Sequence, residues 1–331
     1  MNNFGNKVKN KIYAFLFWQT SFGEYLNKRY DLSVFFKYSF TNKKTNSKQS
    51  KIASLTKDYH IVEKGLALPY TRNEFGKQKI IKLIKDAKLY FNEYGKDEII
   101  LDIKSCLSEY YEFNKMNNID LNNEYFKSIS SFISDESNKG IGGTKIITKK
   151  EIETATNFDF ETFVKTRSSI RDFDISDLDI TLIEKAIDLA RYTPSVCNRQ
   201  SWGAHLYTNN KKVLEVLEFQ NGHGGFKESI KGVIVITTNV AMFTKLETNQ
   251  IFIDGGLFAM SMMYALHFQN IGSCPLNTCM PYIDEIKLKK KVGINENERV
   301  IMMIAIGNLK EEFKVAISNR RDLNQILTYH N

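Results

Sequence analysis

Apolar residues recur at helical spacing through most of the first 135 positions. In residues 76–94, Ile80, Ile81, Leu83, Ile84, Ala87 and Tyr90 fall on one side with lysines opposite, and residues 119–133 repeat the pattern. Both stretches predict amphipathic helices in search of a partner surface. Residues 60–77 are rich in turn formers and predict a connector, in which His60, Glu63 and Arg72 fill ordinary capping and surface roles. A polar, glycine-bearing segment, 134–151, then breaks the periodicity. It marks a boundary between a helical N-terminal extension, 1–145, and a second unit, 146–331.

The second unit is more sharply punctuated. Ser176 or Asp179 offers an N-cap to an amphipathic run through Ile183, Ala186, Ile187 and Ala190, and Pro194 prevents its continuation. "WGAHLYT" and "GVIVITT" predict short strands, "IGSCPL" a loop or short strand, and "RVIMMIAIG" a fully buried strand. Residues 255–268 are apolar all round and predict a buried core helix, too short to cross a bilayer. Helices alternate with strands, but at a spacing too irregular for a Rossmann repeat. The expected fold is α+β: a central mixed sheet of four or five strands wrapped by helices and preceded by the helical region.

Composition bounds the function. Across 331 residues, 42% hydrophobic and 25% charged content excludes wholesale disorder. The net charge of +8 gathers in runs such as "NKKTNSKQSK" and "KLKKK". These lack interleaved aromatics or a recognisable reader module, so a solvated lysine-rich surface is expected, with no nucleic-acid partner. A weak contact between the basic N-terminus and a membrane surface stays open. Cys106, Cys197, Cys274 and Cys279 show neither zinc-ligand spacing nor a disulfide framework, which suits a reducing cytoplasm. Residues 7–25 place basic residues before a short apolar run without a small-residue cleavage site, so no signal peptide is expected. No G-x-G-x-x-G, G-x-x-x-x-G-K-[ST], H-E-x-x-H or G-x-S-x-G occurs, and no metal site is expected.

Three polar clusters carry the remaining chemistry: "TRSSIRDF" (166–173), "YTPSVCNRQSW" (192–202) and "SNRRDL" (318–323). Arginine forks and hydroxyls suit a phosphate monoester, and Asn and Gln amides suit the donor–acceptor edge of a heterocycle. Together they describe a phosphorylated, planar cofactor. The residues alone leave blander readings open. Arg167 and Arg171 are spaced as helix-surface charges, Asn198 and Gln200 could satisfy a loop's backbone, and Cys197, Cys274, His205 and His267 suit packing roles.

"RSSIRDF", "ARYTPSVCNRQSW", "FIDGGLFAMSMMYALHFQNIGSCPLN", then "MMIAIGN" followed by "NRRDL" occur in the order and at spacings that resemble the FMN-dependent nitroreductases. The resemblance covers residues from about 157 to 330, and the helical region lies outside it. Extensions of that kind resemble nitroreductase-like proteins linked with surface polysaccharide pathways. The resemblance implies that Arg167, Ser168 and Ser169 meet the FMN phosphate and ribityl chain. It implies Arg171 near the flavin N1 and C2 carbonyl, where reduction places negative charge. Pro194, Ser195, Asn198 and Gln200 would line the isoalloxazine across a dimer interface. Backbone groups of Ser273, Cys274, Pro275 and Leu276 would approach its other face and N5, with Gly272 permitting a close turn. Arg320 would complete the phosphate site.

The implied protein is a cytoplasmic homodimer with FMN at its interface and the 255–268 helix in its core. It moves a hydride from NAD(P)H to a small-molecule acceptor by a ping-pong cycle, with no catalytic acid nominated. A dedicated redox enzyme of polysaccharide assembly is a narrower version, and a non-catalytic dimeric scaffold is the rival. Two departures weigh on substrate inference. Ser318 stands where the family often has a basic residue, and the loop "QNGHGGFKE" (220–228) stands where many members carry covering helices.

Overall fold

The computed structural model describes residues 20–40, 47–134 and 140–330, with Ile12, Phe15 and Phe17 before them. The lysine-rich run at 42–51 is described from Ser47 onward and the N-terminal stretch at 7–25 only in part. Of the expected boundary segment, 135–139 lie outside the described residues.

From residue 20 onward five helices come first among the described residues: α1 Ser21–Tyr38, α2 Lys48–Leu66, α3 Lys77–Tyr94, α4 Glu98–Met116 and α5 Glu124–Ile133. The predicted stripe of α3 is buried at Ile80, Leu83, Ile84, Ala87 and Tyr90, whereas Ile81 is exposed because one residue turns about 100° around the helix. Helix α5 begins at Glu124 rather than 119. Asp120 accepts from Asn122 N and Asn123 from Phe126 N, so a turn and an N-cap occupy the preceding residues. The expected connector at 60–77 is also shorter, since α2 continues to Leu66. Helices α2 to α5 share a core that includes Tyr59, Val62, Ile103, Leu107, Tyr110 and Phe126. Residues 140–148 have no regular structure, yet carboxylates of the bundle hold their backbone. Ile141 N donates to Asp102 (2.9 Å), Gly143 N to Glu63 (3.0 Å) and Thr144 N to Glu109 (2.6 Å).

Short helices α6 Lys149–Ala155 and α7 Phe160–Thr166 lead to α8 Ile180–Ala190, capped as anticipated by Asp179 accepting from Thr181 N. Then follow β1 Trp202–Tyr207, α9 Asn210–Leu217, β2 Gly232–Asn239, α10 Gln250–Phe268, β3 Ile271–Leu276, α11 Tyr282–Val292 and β4 Glu298–Asn308. The fold is α+β with the four strands in the order β1-β2-β4-β3. Every hydrogen-bonded pair is antiparallel, which corrects the expectation of a mixed sheet. Strands β2 and β3 do run in the same direction with α10 as their crossover, but β4 inserts between them, so no parallel pair forms.

The sheet is buried on both faces, which is why β2 and β4 read as continuous apolar runs. One face carries Val233, Val235, Met303 and Ala305 against α9, Ile170 and Phe173. The other carries Ile234, Ile236, Ile304 and Ile306 against α8 and α10. Helix α10 starts before the apolar run and is long and apolar enough to cross a membrane by length and composition. Here half of it is inside the fold. Its burial is one-sided rather than general: Ile253, Leu257 and Phe268 face outward from this chain.

The first helices attach to the sheet unit. Val34 and Phe35 of α1 pack with Val240, Phe243 and Ile251, and Asp31 pairs with Arg299 of β4 at 2.6 Å.

Candidate functional site

The "TRSSIRDF" cluster begins where α7 ends. Arg167 adopts extended geometry, and the chain then runs beside the free edge of β3, held by Ile170 N donating to Ser273 O (3.0 Å) and Asp174 N to Asn308 O (2.9 Å). Ile170 and Phe173 turn into the core while Arg171 is exposed. Phe173 lies over two glycines facing each other across β3 and β4, Gly272 and Gly307, where an added Cβ would come within 3.1 and 2.5 Å of its side chain. Gly272 therefore makes room for an aromatic ring within a strand; the close turn expected there is not formed.

This arrangement joins the first cluster to Ser273, Cys274, Pro275 and Leu276. Burial pushes the Cys274 thiol up, and the positive charges of Arg171 and Arg167 oppose it. Among the described residues Arg167 makes no hydrogen bond or ion pair, and Arg171 makes only a long contact, 3.4 Å, to Ser169 O. Asp172 is instead paired with Lys310. Two guanidinium groups without a carboxylate partner, flanked by the half-buried Ser168 and Ser169, form a donor set suited to a phosphate. The cluster sits at the C-terminal end of α10, where Thr166 Oγ1 lies 3.0 Å from His267 Nε2.

The "YTPSVCNRQSW" cluster is a loop in unusual backbone geometry. Cys197, Asn198 and Gln200 have φ of 50°, 52° and 51°, each left-handed and none a glycine. Such residues cost about 1 kcal/mol or more apiece, so neighbours must hold the loop. Ser195 Oγ accepts from Gln200 N (2.9 Å), and Val196 N donates to the Asp254 carboxylate (3.2 Å). The wholly buried Arg199 side chain donates to Val196 O (3.1 Å) and to Glu247 (2.7 Å), between the rings of Phe40 and Phe243. Helix α2 packs against the Val196–Asn198 turn. Pro194 and Gln200 are exposed and Asn198 is half-buried, so both amides stand at the surface.

Asp254 and His267 mark the two ends of α10. They are thirteen residues apart, or about 20 Å at 1.5 Å per residue. Within one chain the first two clusters are therefore separate. The third is apart from both in sequence and exposed: Arg320 donates to the Ser318 carbonyl, Ser318 itself is left-handed (φ 47°), and the surrounding segment has no regular structure beyond the Leu323–Gln325 turn.

Sequence reasoning overlooked Arg199, Glu247 and Asp254. Asp254 had a signal, as the lone carboxylate in an otherwise apolar helix. The loop at 220–228 is tied down, with Gln220 donating to Asn277 O (3.1 Å) and His223 against Leu217 O (2.8 Å).

Residues 164–234 match the model of the nitroreductase family, a stretch that contains Arg167 to Arg171 and Pro194 to Gln200. Solved structures similar to the chain include an FMN-dependent nitroreductase from Clostridium difficile R20291, 20% identical, covering 51% of this chain and 98% of its own with a TM-score of 0.43. A nitroreductase family protein from Streptococcus pneumoniae TIGR4 is 19% identical, with 52% and 100% covered and a TM-score of 0.45. One named as a nitroreductase in complex with FMN, from Desulfovibrio desulfuricans, is 15% identical, with 53% and 99% covered and a TM-score of 0.46. No curated protein matches the chain.

Proposed function

We propose that this chain is an FMN-dependent NAD(P)H oxidoreductase that works as a homodimer on a small-molecule acceptor. One observation carries the reading. Two ligand-type clusters lie at opposite ends of α10, and the side of that helix left exposed, Ile253 and Leu257, is apolar. A twofold axis across α10 brings the Arg167 end of one chain to the Ser195–Gln200 end of its partner, so each cofactor is enclosed by both chains. The family match across both clusters supports the same assignment.

When bound, FMN supplies hydride chemistry. The chain's residues bind and polarise. Arg167 with Ser168 and Ser169 neutralises the phosphate, and Arg171 presents positive charge to the ring edge that becomes electron-rich. From the partner, the Asn198 and Gln200 amides and the Ser195 hydroxyl orient the ring system, with Pro194 against its plane. The backbone of Ser273 to Leu276 closes the opposite side. Arg320 joins the phosphate site only if its segment moves away from the Ser318 carbonyl, and that contact is the observation favouring a non-catalytic dimeric scaffold as the second reading. A cytoplasmic setting and an acceptor from surface polysaccharide assembly are the narrower forms of the proposal.

The test is an absorption spectrum of the purified protein, acid release of any yellow cofactor and its identification, then addition of NADH or NADPH. Released FMN that bleaches with either donor supports the oxidoreductase. A colourless protein that takes up no added FMN overturns it in favour of the scaffold.

A further inference from the structure

The turn between α2 and α3 forms a site with no part in the flavin reading. A cavity of about 620 Å³ opens on the outer side of the helical bundle, with Leu68 and Phe75 on its walls and Lys64, Arg72, Lys77 and Lys79 around it. Its lining holds four cations and no carboxylate. Of these cations only Lys77 has an ion pair among the described residues, with Glu74 at 3.7 Å, and its ammonium also sits over the Tyr125 ring. Among the described residues Lys64, Arg72 and Lys79 make no ion pair. Elsewhere on the same bundle several lysines are matched: Lys82 lies between Asp58 and Asp86, Lys48 meets Asp97 and Lys51 meets Glu93, whereas Lys85, Lys88 and Lys127 have no ion pair among the described residues. What distinguishes this turn is that its cations line one cavity together with exposed apolar side chains.

That turn also projects apolar side chains. Leu68 is 59% exposed and Tyr70 91% exposed, with Pro69 between them. It is built to hold its shape. Thr71 Oγ1 lies 3.1, 3.3 and 3.0 Å from the carbonyls of Gly65, Leu66 and Leu68, and the Phe75 ring occupies the space where a Cβ on residue 65 would stand, 2.1 Å away. A rigid tip of Leu and Tyr beside four cations, three of them without an ion pair among the described residues, has the make-up of a membrane-interface contact, with apolar groups for the acyl boundary and cations for lipid phosphates. A nucleic acid would meet the same cations but give Leu68 and Pro69 nothing apolar to enter.

We infer that the α2–α3 turn docks this protein on an anionic lipid surface, with Leu68 and Tyr70 entering the headgroup layer. This places the membrane contact on the bundle rather than in the basic N-terminal stretch, and it holds whether or not the flavin reading does.

The experiment is co-sedimentation of the full chain with vesicles of phosphatidylcholine containing about one-third phosphatidylglycerol, against pure phosphatidylcholine. The probe proteins are wild type, Arg72→Glu/Lys79→Glu, and an equal-charge control, Lys185→Glu/Lys211→Glu, each checked by circular dichroism. Wild type should bind the anionic vesicles only. The turn variant should bind about tenfold or more weaker, since each basic side chain near such a surface is worth about 1 kcal/mol, and the control should bind within about twofold of wild type. A Leu68→Ser/Tyr70→Ser variant, unchanged in charge, should also bind less. No binding by wild type, equal loss in both charge variants, or displacement by inorganic phosphate at constant ionic strength would overturn the inference. So would preferential binding to a single-stranded oligonucleotide.

Discussion

Arg199 and Glu247 meet at 2.7 Å with the arginine side chain wholly buried between two phenyl rings, one of them Phe40 from the helical region. This pair anchors the left-handed loop that presents Asn198 and Gln200. Removing the carboxylate leaves a buried guanidinium without its counter-charge. Glu247→Ala should cost about 3 kcal/mol in urea denaturation, while Arg199→Met/Glu247→Leu should recover most of that loss. A single-variant cost under about 1 kcal/mol would mean the loop is held by other contacts.

The proposed sharing of each cofactor between two chains predicts complementation. Arg167→Ala/Arg171→Ala and Asn198→Ala/Gln200→Ala should each bind FMN poorly alone. Denatured together and refolded at equal amounts, they should regain binding in about a quarter of all sites, because mixed dimers carry one intact site and one doubly damaged site. Fluorescence quenching of added FMN measures the fraction. No recovery on mixing would mean that both clusters serve one chain's site.

Phe173 covers Gly307 so closely that the position tolerates no side chain. Gly307→Ala should lower stability by about 1–3 kcal/mol through overpacking. Gly307→Val should cost more still, and a Gly307→Ala loss under about 0.5 kcal/mol in urea denaturation would show that Phe173 gives way without strain.

His223 is half-buried against Leu217 O, and among the described residues its buried Nδ1 has no hydrogen-bond partner. Burial, then the nearby Lys227, lowers its pKa below the ordinary 6.5. A lowered histidine binds fewer protons folded than unfolded, so its contribution is present above pH 6.5 and lost as pH falls toward the lowered value. Wild type should therefore lose more stability than His223→Gln between about pH 7.5 and pH 5.5, since Gln keeps a donor for Leu217 O without taking up charge. Parallel urea titrations at the two pH values read the difference.

What the sequence made legible was mostly local. The stripe of α3, the Asp179 cap and the continuous apolar runs of β2 and β4 follow from periodicity and capping chemistry within a few residues. The antiparallel sheet was hidden because it depends on β4 entering between β2 and β3, a choice of neighbour that no local pattern encodes. Gly272 was assigned to a turn because its partner across the sheet, Gly307, and the ring above both lie far away in sequence. The burial of Arg199 was equally hidden, since Glu247 follows 48 residues later. The polar clusters were visible as chemistry, but their separation along α10 was not.

The ion pair between Asp31 and Arg299 closes a separation of 268 residues. On a ribosome, the bundle of α2 to α5 has its own core and is complete long before β4 emerges. Helix α1 is made earlier still, yet part of its binding surface is the last strand of the sheet. Val34 and Phe35 can meet Val240, Phe243 and Ile251 beforehand, but the Asp31 ion pair must wait for that strand. Synthesis of β4 thus closes a clasp: it supplies Arg299 to Asp31 of α1, and a chain interrupted before residue 299 would leave that helix without its ionic fastening.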